Sequence, residues 1–185
     1  FEKALDVVGH EYTHAVIQTT SNLKYEGQSG ALNEHLADVF GIIINYRHNR
    51  NLSNPYLIGA TVLYGEYAQK AAALRDMMDP SKGLSPQPGH MEELKTGRFA
   101  KYGEGCKSTG SNDNCGVHTL SGIPNKMSAL VMSALLGLAL TGIVAGVERL
   151  VRNDLWRGRT PERFYDAMEW LYGWNVGNCL SAATN

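Results

Sequence analysis

The stretches VVGHEYTHAV, residues 7–16, and GALNEHLADVFG, residues 30–41, decide the fold. Leu5, Val8, Tyr12, Ala15, Val16 and Thr19 recur at helical spacing, predicting a helix from Phe1 to about Thr20 that Ser21-Asn22 stops. A second helix is expected from Ser29 or Gly30 to about Arg47, with Leu32, Leu36, Val39, Phe40 and Ile43 on its apolar side. His10 and His14 stand four apart, so on a helix their imidazoles project from one face, one turn apart. Glu34 and Asp38 repeat that spacing on the second helix.

That pairing has a chemical meaning. Two imidazoles one turn apart can reach a single tetrahedral ion, and Glu11 can approach a metal-bound water without being a ligand. A catalytic zinc takes three protein ligands and leaves its fourth position to water, so Glu34 is the candidate third ligand. Asp38 is placed to accept the other ring N–H of a bound histidine. The competing explanation is a solvated face with two incidental histidines beside an ordinary acidic helix. Finding both motifs across one short turn favours the zinc site. On that site Glu11 would be placed to take the water's proton.

Outward from these helices, residues 56–117 are irregular, with a candidate helix around Tyr67 to Met77. Pro124 suits the first turn of a third long helix reaching about Leu140, and Ile143–Arg152 and Pro161–Tyr172 read as further helical segments. Strand signals are scarce, so the expected fold is mainly α, a helical bundle with few or no strands, as one domain over residues 1–185. The chain is 43% hydrophobic and 19% charged with a formal net charge of -1, which excludes a disordered chain and gives no basic surface for nucleic acid. Met127 to Val147 carries no charge, long enough to raise a membrane span. Gly137, Thr141-Gly142 and Gly146 interrupt it, and two buried helices explain it as well, so no membrane partner is expected. The opening residues FEKALDVVGH read as an amphipathic helix, not a secretory leader.

Cys106 and Cys115 flank the polar, Gly-rich GCKSTGSNDNC, short enough to close with a disulfide, leaving Cys179 outside it. A bridge would place the protein in an oxidising compartment; two reduced thiols are the alternative.

VVGHEYTHAV followed by GALNEHLADVFG closely resembles the thermolysin family of zinc metallopeptidases, in which a Glu twenty residues beyond the second His completes the site. The resemblance extends over most of residues 4–128 and implies the family's C-terminal α-helical catalytic domain. By that resemblance Tyr25, in NLKYEGQSG, is an active-site tyrosine, and Arg75, in LRDMMDP, binds substrate. In DNCGVHTLSGIPNK it makes His118 the catalytic histidine and Asp113 its carboxylate partner. Asn33 stands as the partner of His14, and Val7, Ile58, Val62 and Leu74 surround an apolar pocket for the residue after the cut bond. His118 and Tyr25 suit donation to an oxyanion, and Arg75 suits donation to a backbone carbonyl. His35, His48 and His90 are assigned structural or surface roles.

There are departures. The family's β-rich N-terminal domain, the other wall of the cleft and the expected intramolecular partner, is missing ahead of Phe1. The C-terminus reads as a shortened version of the last family helices, and residues 91–112 look longer than usual. Of the paired-calcium carboxylates only Asp6 is kept, with Asn45, Leu57 and Ala60 at the other positions, so no such calcium is expected. The resemblance implies a secreted, single-zinc metalloendopeptidase acting on peptides or proteins, with an apolar preference after the cut. The alternative is a non-catalytic zinc-stabilised binding domain or an inactive fragment. Retention of Glu11, His118, Tyr25 and Arg75, which a structural zinc site does not need, separates the two.

Overall fold

The computed structural model describes residues 4–140. The expected helices at residues 143–152 and 161–172, the shortened C-terminus and Cys179 lie outside the described residues. Helix α1 spans Leu5–Thr19 and α2 Gly27–His48. They are followed by strand β1 (Leu57–Ile58), helix α3 (Glu66–Lys70) and strand β2 (Arg75–Asp76). Four short 3-10 turns lead to α4 (Asp113–Leu120) and α5 (Gly122–Leu140). Among the described residues the fold is mainly α, with one two-stranded sheet.

The sites of closest approach explain how α1 and α2 bring their polar residues together. A Cβ on Gly41 would strike the backbone oxygen of Asp6, and one on Gly9 would lie 2.9 Å from Ile44 Cδ1. Any side chain at Gly41 would push the two helices apart. The faces that meet are Asp6, Gly9, His10, Thr13 and Ile17 on α1, and Asn33, Glu34, Ala37, Asp38 and Gly41 among the buried residues of α2. The helical period was legible, but its phase was not. Val8 (45% exposed), Tyr12 (70%) and Val16 (42%) lie outward on α1, as do Phe40 (51%) and Ile43 (38%) on α2.

The apolar core lies beside this polar seam. Ile17, Leu23, Leu32, Leu94, Phe99, Leu120, Ile123 and Met127 form one cluster; Ile42, Ile58, Met77 and Ala129 form another. Burying such side chains supplies the main driving force for the fold, about 1.5–3 kcal/mol for each large one.

The expected helix over Tyr67 to Met77 is corrected. Helix α3 stops at Lys70, Ala71 is extended (φ -153, ψ 155), and Arg75 pairs with Ile58 in an antiparallel ladder. The helix propensity of three consecutive alanines, Ala71 to Ala73, yields to a tertiary pairing that also presents Arg75 to α2. The α5 helix contains Pro124 near its start, as expected, and no described helix is long and apolar enough to cross a membrane. Cys106 and Cys115 are joined as a disulfide.

Candidate metal centre and active site

His10 Nε2 and His14 Nε2 lie 2.9 Å apart. Glu34 reaches both from α2, with Oε2 3.4 Å from His10 Nε2 and Oε1 3.3 Å from His14 Nε2. These ligand atoms converge within 4.8 Å of one another, the one such group of histidine, cysteine and carboxylate residues among the described residues.

The other ring nitrogen of each histidine is held from behind. His10 Nδ1 donates to Asp38 Oδ1 at 2.8 Å, and His14 Nδ1 donates to Asn33 Oδ1 at 2.7 Å. With both Nδ1 positions donating, two neutral rings point bare Nε2 lone pairs at each other. A cation between them, a proton or a metal ion, would relieve that contact. Zinc fits this donor set: tetrahedral ligands about 2.0–2.1 Å from an ion lie roughly 3.3 Å apart, near the spacings above. A second sign is Glu34 Oε2, which is buried with no hydrogen-bond partner.

Electrostatics follows the geometry. Burial acts against the charged form of Glu34, but hydrogen bonds from His10 and His14 and the nearby His118 and Tyr25 hold its carboxyl well below the usual range. Burial likewise lowers His10, yet its bonds to Asp38 and Glu34 prevail and raise it to about 9. Glu34 raises His14 too, against burial.

Asp38 is fully buried and anchors the whole arrangement. Besides His10 it accepts from Arg75 through Nε (2.8 Å) and Nη2 (2.6 Å), and from Asn125 Nδ2 at 2.8 Å. Burial would raise its pKa, but the Arg75 charge and these bonds bring it to about 2. Arg75 therefore spends two donors of its fork on Asp38, a restraint on its expected contact with substrate.

A third group faces the centre. The Tyr25 hydroxyl donates to Glu34 Oε1 and lies 3.4 Å from His118 Nε2. Burial and the Glu34 carboxylate push the Tyr25 phenol up, keeping it protonated. His118 Nδ1 donates to Asp113 Oδ1 at 2.6 Å, and the His118 backbone N–H donates to Asp113 Oδ2 at 3.0 Å. Seven of the residues singled out from sequence thus meet around Glu34: His10, His14, Asn33, Asp38, Tyr25, Asp113 and His118.

A family profile described as "Thermolysin metallopeptidase, alpha-helical domain" matches residues 21–154. The chain belongs to the thermolysin metallopeptidase family. Glu34, Arg75, Asp113 and His118 fall inside the match, and the α1 residues precede it. Bacillolysin of Bacillus cereus is 40% identical over 141 residues, 75% of this chain and 22% of that protein. The precursor of protealysin, a metalloproteinase from Serratia proteamaculans, superposes with a TM-score of 0.57 at 34% identity, over 71% of this chain and 39% of that one. A 36-residue stretch is also 94% identical to 3-hydroxybenzoate 6-hydroxylase of Polaromonas naphthalenivorans (strain CJ2), but it covers 20% of this chain and 9% of that protein. So short a match assigns no second family. The chain spans 22–33% of the length of the first metalloprotease relatives it matches.

The remaining thermolysin-family positions are placed as follows. Glu11 is exposed, one residue on from His10 and so about 100° further round the helix. Val7, Val62 and Leu74 are half-buried, whereas Ile58 is 1% exposed and packs into the second core cluster. As placed, Ile58 backs the half-buried residues and does not present its own side chain to solvent. Asp6 is buried and its Oδ2 accepts from Gly59 N–H at 2.6 Å. Asn45 and Leu57 are half-buried, and Ala60 is exposed.

Sequence reasoning missed two supports. Asn125 donates to Asp38 and accepts from His35 Nδ1 at 2.9 Å, so His35 is a buried structural histidine. Gln87 Nε2 donates to the His118 carbonyl and to Ser121 Oγ at 3.1 Å, fixing the back of the His118 segment. Asn125 lies 90 residues from His35, and no local pattern signals such a contact.

Proposed function

We propose that this chain is the catalytic helical domain of a secreted zinc metalloendopeptidase that cuts peptide bonds ahead of an apolar residue. The observation that carries this reading is the convergence of His10, His14 and Glu34, with both histidines oriented from behind, beside the Tyr25–His118–Asp113 group. A purely structural ion needs the first three and has no use for the last three.

Zinc held there would polarise the scissile carbonyl and acidify the attacking water. Glu11 serves as the base that takes the water's proton, since it lies beside the ligands without being one. His118 and the Tyr25 phenol donate to the oxygen on which negative charge develops. Asp113 fixes the orientation of the His118 ring. Arg75 and Asp38 stiffen the His10 side of the centre, and Val7, Val62 and Leu74, backed by Ile58, favour Leu, Phe, Ile or Val after the cut. The Cys106–Cys115 bridge supports an oxidising, extracellular location. A paired calcium site stays outside this proposal. Asp6, its remaining carboxylate, is engaged with Gly59, and Asn45, Leu57 and Ala60 offer no others.

The chain's share of its relatives supports a second cleft wall supplied by further sequence of the same protein. The test uses three forms of the full protein. His14→Ala should lose stoichiometric zinc; Glu11→Gln should keep zinc and lose at least about a hundredfold in kcat. Equal zinc in wild type and His14→Ala would refute the centre. An unchanged rate in Glu11→Gln would refute the base. Zinc binding with no hydrolysis by the wild type would favour a zinc-stabilised binding domain.

A further inference from the structure

The backbone ahead of His118 adopts an unusual form. Asp113 (φ 57, ψ 42), Asn114 (φ 49, ψ 49), Cys115 (φ 62, ψ 39) and Gly116 (φ 75, ψ 39) make one turn of left-handed helix. Three of the four carry side chains; Asp and Asn visit this region at lower cost, but for Cys115 it is disfavoured by roughly 5–30-fold in population. Such a run persists only where surrounding contacts impose it. It also sets the geometry of a pair used above, because Asp113 at its start accepts from both the ring and the backbone N–H of His118, just beyond its end.

Three contacts hold the turn. Asn112 is the first: its Oδ1 accepts from Cys115 N at 3.0 Å and from Thr109 N at 2.9 Å, while its Nδ2 donates to Lys107 O at 2.8 Å. The ring of Tyr102 is the second. It lies where a Cβ on Gly116 would be, with Cδ1 only 2.7 Å away. The disulfide is the third, tying the left-handed Cys115 to Cys106 across a sequence separation of 9. Neither cysteine belongs to the hydrophobic clusters, so the bridge joins no two parts of the core. Its reach is local.

We propose that the Cys106–Cys115 disulfide, with Asn112, is a positioning device for His118: it holds the left-handed turn that aims the Asp113 carboxylate at the imidazole. The bridge acts through Asp113 and His118 and touches no substrate. This rests on the hydrolytic role proposed above, but its geometric part does not depend on turnover.

The device can be taken apart in two ways that differ only at one Cβ. In the zinc-loaded full protein, Cys106→Ala with Cys115→Ala removes the bridge and leaves an L-residue in the left-handed position. Cys106→Ala with Cys115→Gly removes the same bridge but installs the residue that adopts this conformation without penalty. The first readout is hydrogen exchange of the His118 backbone N–H. It should speed up at least about tenfold in the alanine pair, the population cost of one unsupported left-handed residue, and return to within about threefold of native in the glycine pair. The second is kinetic: kcat should fall and recover in the same order, with KM and zinc content unchanged.

Native exchange in the alanine pair, or no recovery in the glycine pair, would overturn the proposal. If the alanine pair fails to fold, the glycine pair decides alone, with native-like exchange supporting the proposal and fast exchange refuting it. A wild-type protein that cleaves nothing while exchange follows the expected order would remove the hydrolytic role and leave the positioning intact.

Discussion

Replacing Asp38 by Asn keeps the shape of the side chain and removes one acceptor and one charge from the most connected buried residue of the centre. Its Oδ1 accepts from His10 Nδ1 and Arg75 Nη2, and its Oδ2 accepts from Arg75 Nε and Asn125 Nδ2. Whichever way the new amide turns, its NH2 faces donors that have nothing to give to. The charge alone sets a scale. A carboxyl held at about 2 against an ordinary 3.8 is stabilised in its ionised form by about 2 kcal/mol. Because this pKa is depressed on folding, that stability is present above pH 3.8 and is lost as pH falls toward 2. Leaving the Arg75 guanidinium without its anion adds to it, so Asp38→Asn should cost about 3–5 kcal/mol at pH 7. For a chain of this size that is a fall of about 6–20 °C in Tm. Zinc affinity should drop roughly 10–100-fold, because His10 loses the partner that fixes its ring. Thermal unfolding with and without zinc, and competition against a chelator, measure both. A variant that melts within 2 °C of native, in the metal-free form, would refute the anchoring role of Asp38.

Zinc binding should depend steeply on pH. The ion must displace a proton from His10, whose pKa is raised to about 9, so affinity should rise about tenfold per pH between 6.5 and 8.5; a flat profile would contradict the shared-cation geometry. The metal-free protein should show the opposite trend, with the His10 contribution to stability full below pH 6.5 and lost as pH rises through about 9, measurable by urea unfolding. Residues 1–185 alone should bind zinc yet hydrolyse a Leu- or Phe-containing peptide far more slowly than a full-length enzyme, with kcat and KM both impaired, since orientation of an extended substrate supplies several kcal/mol. Equal kcat/KM values would show that the cleft is complete in this chain.

The chemistry was more legible in the sequence than the packing. His10, His14, Glu34 and Asp38 could be paired because α-helical spacing converts directly into a shared face, and the structure brings all four together. The same helices misled where burial was inferred from apolarity. Their meeting faces are buried because charges and hydrogen bonds are satisfied there, around Asp6, His10, Asn33, Glu34 and Asp38. Val8, Tyr12, Val16 and Phe40, which look like core residues, stand in the open. Arg75 was assigned to substrate from its motif; its grip on Asp38 appears only once β2 pairs with β1. Asn125 and Gln87 carry no local signature, because an amide becomes structural through its distant partners alone.

The buried charges explain why this seam would hold a divalent ion rather than stay empty. Glu34 and Asp38 are both 0% exposed and both kept ionised, while Arg75 alone supplies a permanent positive charge among the groups bonded to them. An uncompensated carboxylate in such a place is costly, so the pair of facing Nε2 atoms recruits positive charge. Without metal that charge is a proton on His10, held there by the Asp38 and Glu34 carboxylates although burial opposes it. A single proton serves one such contact at a time. A tetrahedral ion reaches both imidazoles and the carboxylate at once and leaves one direction open. The Tyr25 and His118 side chains stand beside Glu34 at that centre, where a bound ion would be open to a substrate.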